Sequence, residues 1–454
     1  MKYNKLVVLV LVVALGLALV ANQYSIVSIQ ASDDTEEVKS NKSYYSSYTP
    51  HDPIWIQSDQ EFADQALAES WAGNGTKDFP YIITGYYFNQ ETQPLRIWDT
   101  DVHWIFIDNV VDAVGTNIQC GTWIDNANNG AIVECEFLNR HSGMIVVNVE
   151  NMTISDNYVH DAFLNGIDVA EMINCDITNN IVEDINNHGI LVQGMTDGEI
   201  SGNVITDCGA RGISVTTGFY NSKMKMNLVT DVGSNGIYVG MATTSCISFN
   251  EIIGAEDVGI EGMGVNSCTL RNNSISNITG TGISVDYCQA SDISMNDIQF
   301  CTELGIEVLG GSNTTLYWNT ITECENYAML LNDETEFFEI KFNTFYGNGI
   351  DCQLYDDGDT NYFGYNYYSD WLTPDANSDS YVDLPYEIDG AAENSDEWPA
   401  TTVGYFPAVI ESASISTTTT TGPGSPDMTM TLVMIGGAMG AIILVAGIIV
   451  LKRR

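Results

Sequence analysis

Asparagine returns at a fixed interval along the middle of this chain, at Asn157, Asn180, Asn203, Asn227, Asn250, Asn273, Asn296, Asn319, Asn343 and Asn366. The steps are 23 residues, with two of 24. Other columns keep the same interval. An aliphatic residue stands three places before (Ile154, Ile177, Ile200, Met224) and another two places after (Val159, Val182, Ile205, Val229). A Gly-Ile pair follows seven places further on, at Gly166, Gly189, Gly212 and Gly236. A fixed period this short means a solenoid. Each repeat holds three short apolar alternations, which are strand signals, and none has the length of a helical pattern. Stacking such units predicts an all-β fold, a right-handed parallel β-helix of ~23-residue, three-strand coils. Both one-residue insertions fall in the same connector, between Gly212 and Met224 and between Ala328 and Ile340.

The columns have scaffold explanations. Stacked Asn amides can hydrogen-bond from coil to coil at a buried turn. The Gly column marks a turn where a Cβ would clash or φ is positive. Cys208, Cys301 and Cys324 share an apolar column and read as small buried hydrophobes. Cys301 and Cys324 are also close enough, one coil apart, for a disulfide.

The ends of the chain differ from this grid. Lys2 and Lys5 precede an apolar run from Leu6 to Ala21, a signal-peptide pattern, with cleavage expected by residue 31. Met428 to Leu451 is apolar and uncharged, long enough to span a bilayer, and Lys452, Arg453 and Arg454 follow it. The expected order is a signal peptide (1–31), a linker (32–50), an N-terminal cap (51–103), the β-helix (104–370), a C-terminal cap (371–410), a Thr-rich stalk (411–427), a transmembrane helix (428–451) and a basic cytoplasmic tail (452–454). In the N-terminal cap, Ser58 with Glu61 forms a capping box, and Phe62, Ala66, Leu67 and Trp71 make an amphipathic helix. The body is then extracellular on a single-pass membrane protein. Its formal net charge is −45. That excludes nucleic acid as a partner, because phosphate binding needs a basic surface.

One corner of the repeat carries titratable residues. Asp161, Asp184, Asp207 and Asp231 recur four places after the Asn column, with His160 and Glu183 beside them. Asn165, His188, Arg211 and Asn235 recur just before the Gly column. Both columns lie in one connector and are expected at one corner. Carboxylates one or two coils apart match spacings used in glycosidases. Arg211 could hold a uronate carboxylate and His188 could act as acid or base. The candidate catalytic set is therefore His160, Asp161, Glu183, Asp184, His188, Asp207 and Arg211. The scaffold reading of the same Asp column is a repeated turn whose side chains bond nearby amides. Near the C-terminal end, Asp375, Asn377, Asp379 and Asp383 place oxygens at positions 1, 3, 5 and 9 of a calcium-type loop. Ser380 replaces the usual Gly and Tyr386 the usual Glu, so an acidic turn without metal is the alternative.

The repeat, with Pro53-Ile54-Trp55-Ile56, Gly73-Asn74-Gly75-Thr76 and Pro80-Tyr81-Ile82-Ile83 before it and Asn361-Tyr362-Phe363 after it, resembles the β-helix repeats of carbohydrate-binding proteins and sugar hydrolases. Within that group it looks like the NosD-like surface proteins common in archaea. The resemblance implies the fold and a carbohydrate partner. The copper role implied by the NosD name has no support in five His and no His-rich or Met-rich run. The sequence thus predicts a surface protein that binds extracellular polysaccharide or glycoprotein. A polysaccharide lyase, glycosidase or epimerase is the first alternative, and a structural envelope or adhesion element the second.

Overall fold

The computed structural model describes residues 45–113, 119–349 and 352–403, with two three-residue strands, Ser414–Ser416 and Thr431–Val433. The expected leader and basic tail lie outside the described residues. So do most of the linker, stalk and membrane span. Among the described residues no helix is long and apolar enough to cross a membrane.

Each coil contributes one strand to each of three parallel sheets. Thr153–Ser155 lies in the first sheet, Tyr158–Ala162 in the second and Ile167–Ile173 in the third. The next coil pairs directly on it, with Ile154 opposite Ile177, Val159 opposite Val182 and Ile167 opposite Ile190. About 12 turns stack in this way. Inward residues of all three sheets fill one continuous core, and Ile154, Val159, Ile167 and Val169 are fully buried.

All three corners turn on a residue in the left-handed region. Asp156 and Asn179 do so at the first corner, Asp161, Asp184, Asp207 and Asp231 at the second, and Asn151, Asn174, Asp197 and Asn221 at the third. Their φ values lie between 49° and 57°. Short polar side chains tolerate this conformation, which explains why Asp and Asn dominate the corners. The Gly column has a different cause. A Cβ on Gly166 would stand 2.5 Å from Val182 Cγ1 and 2.6 Å from the carbonyl oxygen of Gly189. Close approach of coils, not positive φ, keeps that column bare.

The Asn column forms the expected ladder at the first corner. Asn180 Nδ2 donates to Asn203 Oδ1 at 2.9 Å and to the carbonyl of Ile154 at 3.0 Å. Its Oδ1 accepts from the backbone N–H and the amide of Asn157. Every amide hydrogen and lone pair that a buried Asn must satisfy is used. The ladder ends on buried Asp396, whose Oδ2 accepts from the amide and backbone N–H of Asn366 at 3.0 Å each. A second, mixed ladder runs along the third corner, which the sequence reading did not see. There Ser222 N donates to Ser245 Oγ at 3.1 Å, Ser245 N to Cys268 Sγ at 3.4 Å and Cys268 N to Ser291 Oγ at 3.1 Å. All ten cysteines are free; nine are buried and Cys246 is half-buried. Cys301 and Cys324 face the core as unlinked thiols.

The coils begin earlier than the repeat indicated. Ile54–Ile56 already pairs with Leu95–Thr100 in the third sheet, and Thr49–Pro50 with Tyr86–Phe88 in the second. Helix α1, Asp59–Glu69, covers the open end of this first coil. Ser58 caps it, accepting from Glu61 N at 3.2 Å. Phe62 stacks on Tyr81 with ring centroids 5.2 Å apart, but Leu67 is 82% exposed and does not belong to the buried face. At the other end Tyr368 and Tyr386 stack at 3.7 Å and close the core. Both insertions fall in the middle of the third sheet, at residues 216–218 and 332–334, where the strands break into two short pieces.

Candidate functional site

The left-handed turn at the second corner pushes the Asp side chains outward, so Asp161, Asp184, Asp207 and Asp231 line one wall of a groove along the rod. Its volume is about 980 Å³, and Phe163, Asn186 and Glu256 also line it. The lining is acidic except at one end, where Arg140 stands. Arg140 is fully buried; its Nη1 donates to the carbonyls of Gln90 and Thr92 at 3.0 and 3.3 Å, and its Nη2 to that of Asp112. Burial pulls its pKa down to about 10, against the pull of Asp112. Asp184 is the carboxyl of the column with a raised pKa. Burial contributes most, followed by the charges of Asp161, Glu183 and Asp207.

On the second sheet, beside the groove, His160 sits between two acids. Its Nδ1 is 2.7 Å from Asp161 Oδ2 and its Nε2 3.3 Å from Glu136 Oε1. The ring stacks on Tyr158, whose hydroxyl donates to Glu183. Tyr45 donates to the same Glu136 oxygen at 2.8 Å. Burial disfavours the charged imidazole, but the hydrogen bonds and charges of Glu136 and Asp161 together outweigh it and raise the pKa. Glu136 escaped the sequence reading for a traceable reason. Cys135 holds the Asn position in that coil, donating its backbone N–H to Asn157 Oδ1, so the column of Glu136 was not apparent.

His188 and Arg211 occupy the other flank of the corner and do not line the groove. They face outward residues of the third sheet. Arg211 lies 3.6 Å from the ring centroid of Tyr238, its Nε donating to Asn235 Oδ1 at 3.2 Å and its Nη1 to Ser214 Oγ at 3.4 Å. His188 Nδ1 accepts from the backbone N–H of Arg211 at 3.3 Å, which places the neutral ring's proton on Nε2. Burial, then the charge of Arg211, lowers the His188 pKa. The seven predicted residues thus divide into two surfaces. Asp161, Asp184 and Asp207, with His160 and Glu183, form one; His188 and Arg211 form the other.

The Asp-rich loop folds on itself. Asp375 Oδ1 and Asn377 Oδ1 both accept from Asp379 N, at 3.2 and 3.0 Å, Asp379 Oδ1 accepts from Tyr381 N at 3.0 Å, and Asp383 Oδ2 from Ala376 N at 2.6 Å. These oxygens serve the loop's own amides. Among the described residues no group of three His, Cys, Asp or Glu side chains is arranged to hold a metal ion. Tyr386, in the twelfth position of the expected loop, is buried in the end of the core instead.

The coil geometry matches a known family. A family model described as right handed beta helix region matches residues 97–229 and 219–368, more than half of the chain. The chain belongs to the right-handed β-helix family. A search of curated protein sequences returns no match. Among solved structures, the catalytic unit of a thermostable GH87 α-1,3-glucanase from Streptomyces thermodiastaticus is 12% identical. The match covers 69% of each chain, with a TM-score of 0.51. The A-module of a mannuronan C-5 epimerase from Azotobacter vinelandii is 15% identical over 67% of this chain and 98% of that one, with a TM-score of 0.49. Tailspike protein 3 of bacteriophage CBA120 is 10% identical over 81% and 65%, with a TM-score of 0.44. At these identities the likeness is one of fold.

Proposed function

We propose that this β-helix protein binds extracellular carbohydrate in the groove along its Asp column. The observation that carries the reading is the groove itself. About 980 Å³ of open space, running across several coils, accommodates several sugar rings of an extended chain. Ionised carboxylates accept hydrogen bonds only, and sugar hydroxyls supply the donors. The acidic lining favours a neutral or cationic glycan over a polyuronate. The fold shared with the catalytic unit of an α-1,3-glucanase is compatible with that class of ligand. The leader-like and apolar terminal runs support display at a cell surface through a C-terminal membrane span, as does the resemblance to NosD-like surface proteins.

A second reading, polysaccharide turnover, is favoured by the His160 network. The His160 imidazole is held between Glu136 and Asp161, and Asp161 lines the groove, so a proton would pass between the ring and a bound sugar by way of that carboxyl.

One experiment separates these readings. Full-length protein and the Asp184→Asn/Asp207→Asn double variant are compared for retention on neutral, amino-sugar and uronate polysaccharides, with released reducing ends assayed in parallel. Asn keeps the left-handed turn and removes the charge, so the variant should fold normally and bind at least tenfold more weakly. Unchanged retention on every polymer would sink the groove as the binding site. Released ends that disappear in His160→Gln would promote the enzyme reading.

A further inference from the structure

A second cavity lies where the last coils meet the C-terminal cap. Its volume is about 180 Å³, and Trp318, Phe342, Tyr365 and Tyr381 line it. We infer that this cavity is a separate binding site for a single neutral sugar ring.

The first observation is an aromatic column. Trp318, Phe342 and Tyr365 occupy successive coils of the first corner, each in the left-handed region, at φ 56°, 58° and 62°. In earlier coils the same column holds Asp156, Asn179, Gly202 and Asn272, but also Met226, Phe249 and Met295, so the turn itself tolerates bulky residues. What sets the last coils apart is three aromatic rings in succession, all lining one cavity. Trp318 and Phe342 are nevertheless 39% and 38% exposed, so burial does not account for their presence.

The second observation is unspent hydrogen-bonding capacity. Tyr365, Tyr367, Tyr381, Ser380 and Thr402 all line the cavity, and each carries a hydroxyl. None of these five side-chain hydroxyls has a hydrogen-bond partner among the described residues. Aromatic faces combined with free hydroxyls suit a pyranose, which is apolar on its ring faces and polar around its rim.

Size and charge narrow the ligand. The cavity is smaller than the ~300–1,000 Å³ of sites for drug-sized molecules, so it takes one ring and not a chain. No Asp, Glu, Lys, Arg or His lines it, which selects a neutral sugar. It differs from the Asp groove in corner, coil and charge, so the two sites stand or fall separately.

Part of the arrangement is self-stacking. Phe342 and Tyr365 stack at 5.4 Å with 10° between their planes. The test must therefore separate a ring stack that only supports the turn from one that also binds. Trp318→Asn and Tyr365→Asn install the residue preferred at this turn and remove the ring, so both variants should fold at least as well as the parent. Saturation-transfer NMR on the full-length protein, with D-glucose, D-galactose, D-mannose and their trisaccharides as probes, reads the sugar ring protons. The expected result is saturable transfer to at least one neutral sugar. It should weaken tenfold or more in Trp318→Asn and in Tyr365→Asn, and persist in the Asp184→Asn/Asp207→Asn double variant. Absence of transfer to every probe would overturn the site. So would transfer that survives both aromatic substitutions, or transfer that is lost only with the groove aspartates.

Discussion

The first and second corners of this rod are built alike and used differently. The first carries Asn at one position of ten coils, and the second carries Asp at one position of four consecutive coils. At the first corner the Asn side chains turn inward, where each amide is fully bonded to its neighbours. At the second the Asp side chains turn outward, and their oxygens line an open groove. A repeated polar column is therefore not one signal but two. Burial decides which: a buried column must satisfy itself, whereas an exposed one keeps its bonding capacity for something else.

Substitution should separate the two corners most sharply. Asn227→Ala removes the acceptor for the backbone N–H and amide of Asn203, at 3.1 and 2.9 Å, in a fully buried setting. Orphaned buried donors cost roughly 1–3 kcal/mol each, so the expected loss is about 3–5 kcal/mol in chemical denaturation. Asp207→Asn at the second corner should change stability by less than about 0.5 kcal/mol. Equal losses at the two sites would erase the distinction. The ladder's terminus gives a smaller effect of the same kind. Asp396→Ala should cost about 2–4 kcal/mol, and Asp396→Asn should cost as well, because Oδ1 accepts from the backbone N–H groups of Tyr365 and Trp398 while Oδ2 accepts from Asn366, so an amide NH2 in either place faces donors.

Acid should expose the comparison in another way. Among the described residues, Asp176, Asp184, Glu251, Glu261, Asp297 and Asp396 have raised pKa values, burial being the largest cause in each. Asp59 and Glu339 are lowered, chiefly by hydrogen bonds from Thr100 and Tyr317. A carboxyl raised on folding holds its proton more tightly when folded. It adds stability below its unfolded pKa and loses that contribution as pH rises through the folded value. The raised group is the larger, and His160 acts in the same direction, while His188, whose pKa is lowered, opposes it. Melting temperature should therefore gain from these carboxyls as pH falls from neutral toward the ordinary carboxylate range, and Asp297→Asn should reduce that gain. A pH dependence left unchanged by Asp297→Asn would contradict this assignment.

The fold was legible in the chain because a solenoid writes its geometry into period. The Asn and Gly columns, the apolar positions and even the shared place of the two insertions follow from 23-residue spacing. The third-corner ladder was not legible, because Ser, Cys and Thr alternate there and no single letter recurs. The site was legible only as a column of aspartates. That His188 and Arg211 face the third sheet depends on the left-handed turn at Asp184 and Asp207, a conformation that Asp permits but does not announce. Capping of the ladder by Asp396 joins residues 30 positions apart outside the repeat, beyond the reach of any periodic argument.

The smallest expected effect tests why aspartate stands at the second corner at all. Phe300 occupies the same column as Asp207, at φ 56°, and is 51% exposed. If the turn alone set the preference, Asp, Asn and Gly would be interchangeable there and a bulky residue would be strained. Phe300→Asn should then stabilise the protein by about 0.5–1 kcal/mol, measured as a shift in denaturation midpoint. The turn would thus explain why the column is polar but not why four consecutive coils of the groove carry Asp in place of Asn. That choice adds four like charges about 4.8 Å apart from coil to coil, a cost that Asn would avoid. Asp184→Asn/Asp207→Asn should accordingly be neutral or slightly stabilising while it weakens glycan retention. A double variant that lost stability instead would mean that the carboxylates serve the turn, and that the groove's charge is scaffold like the ladder across the rod.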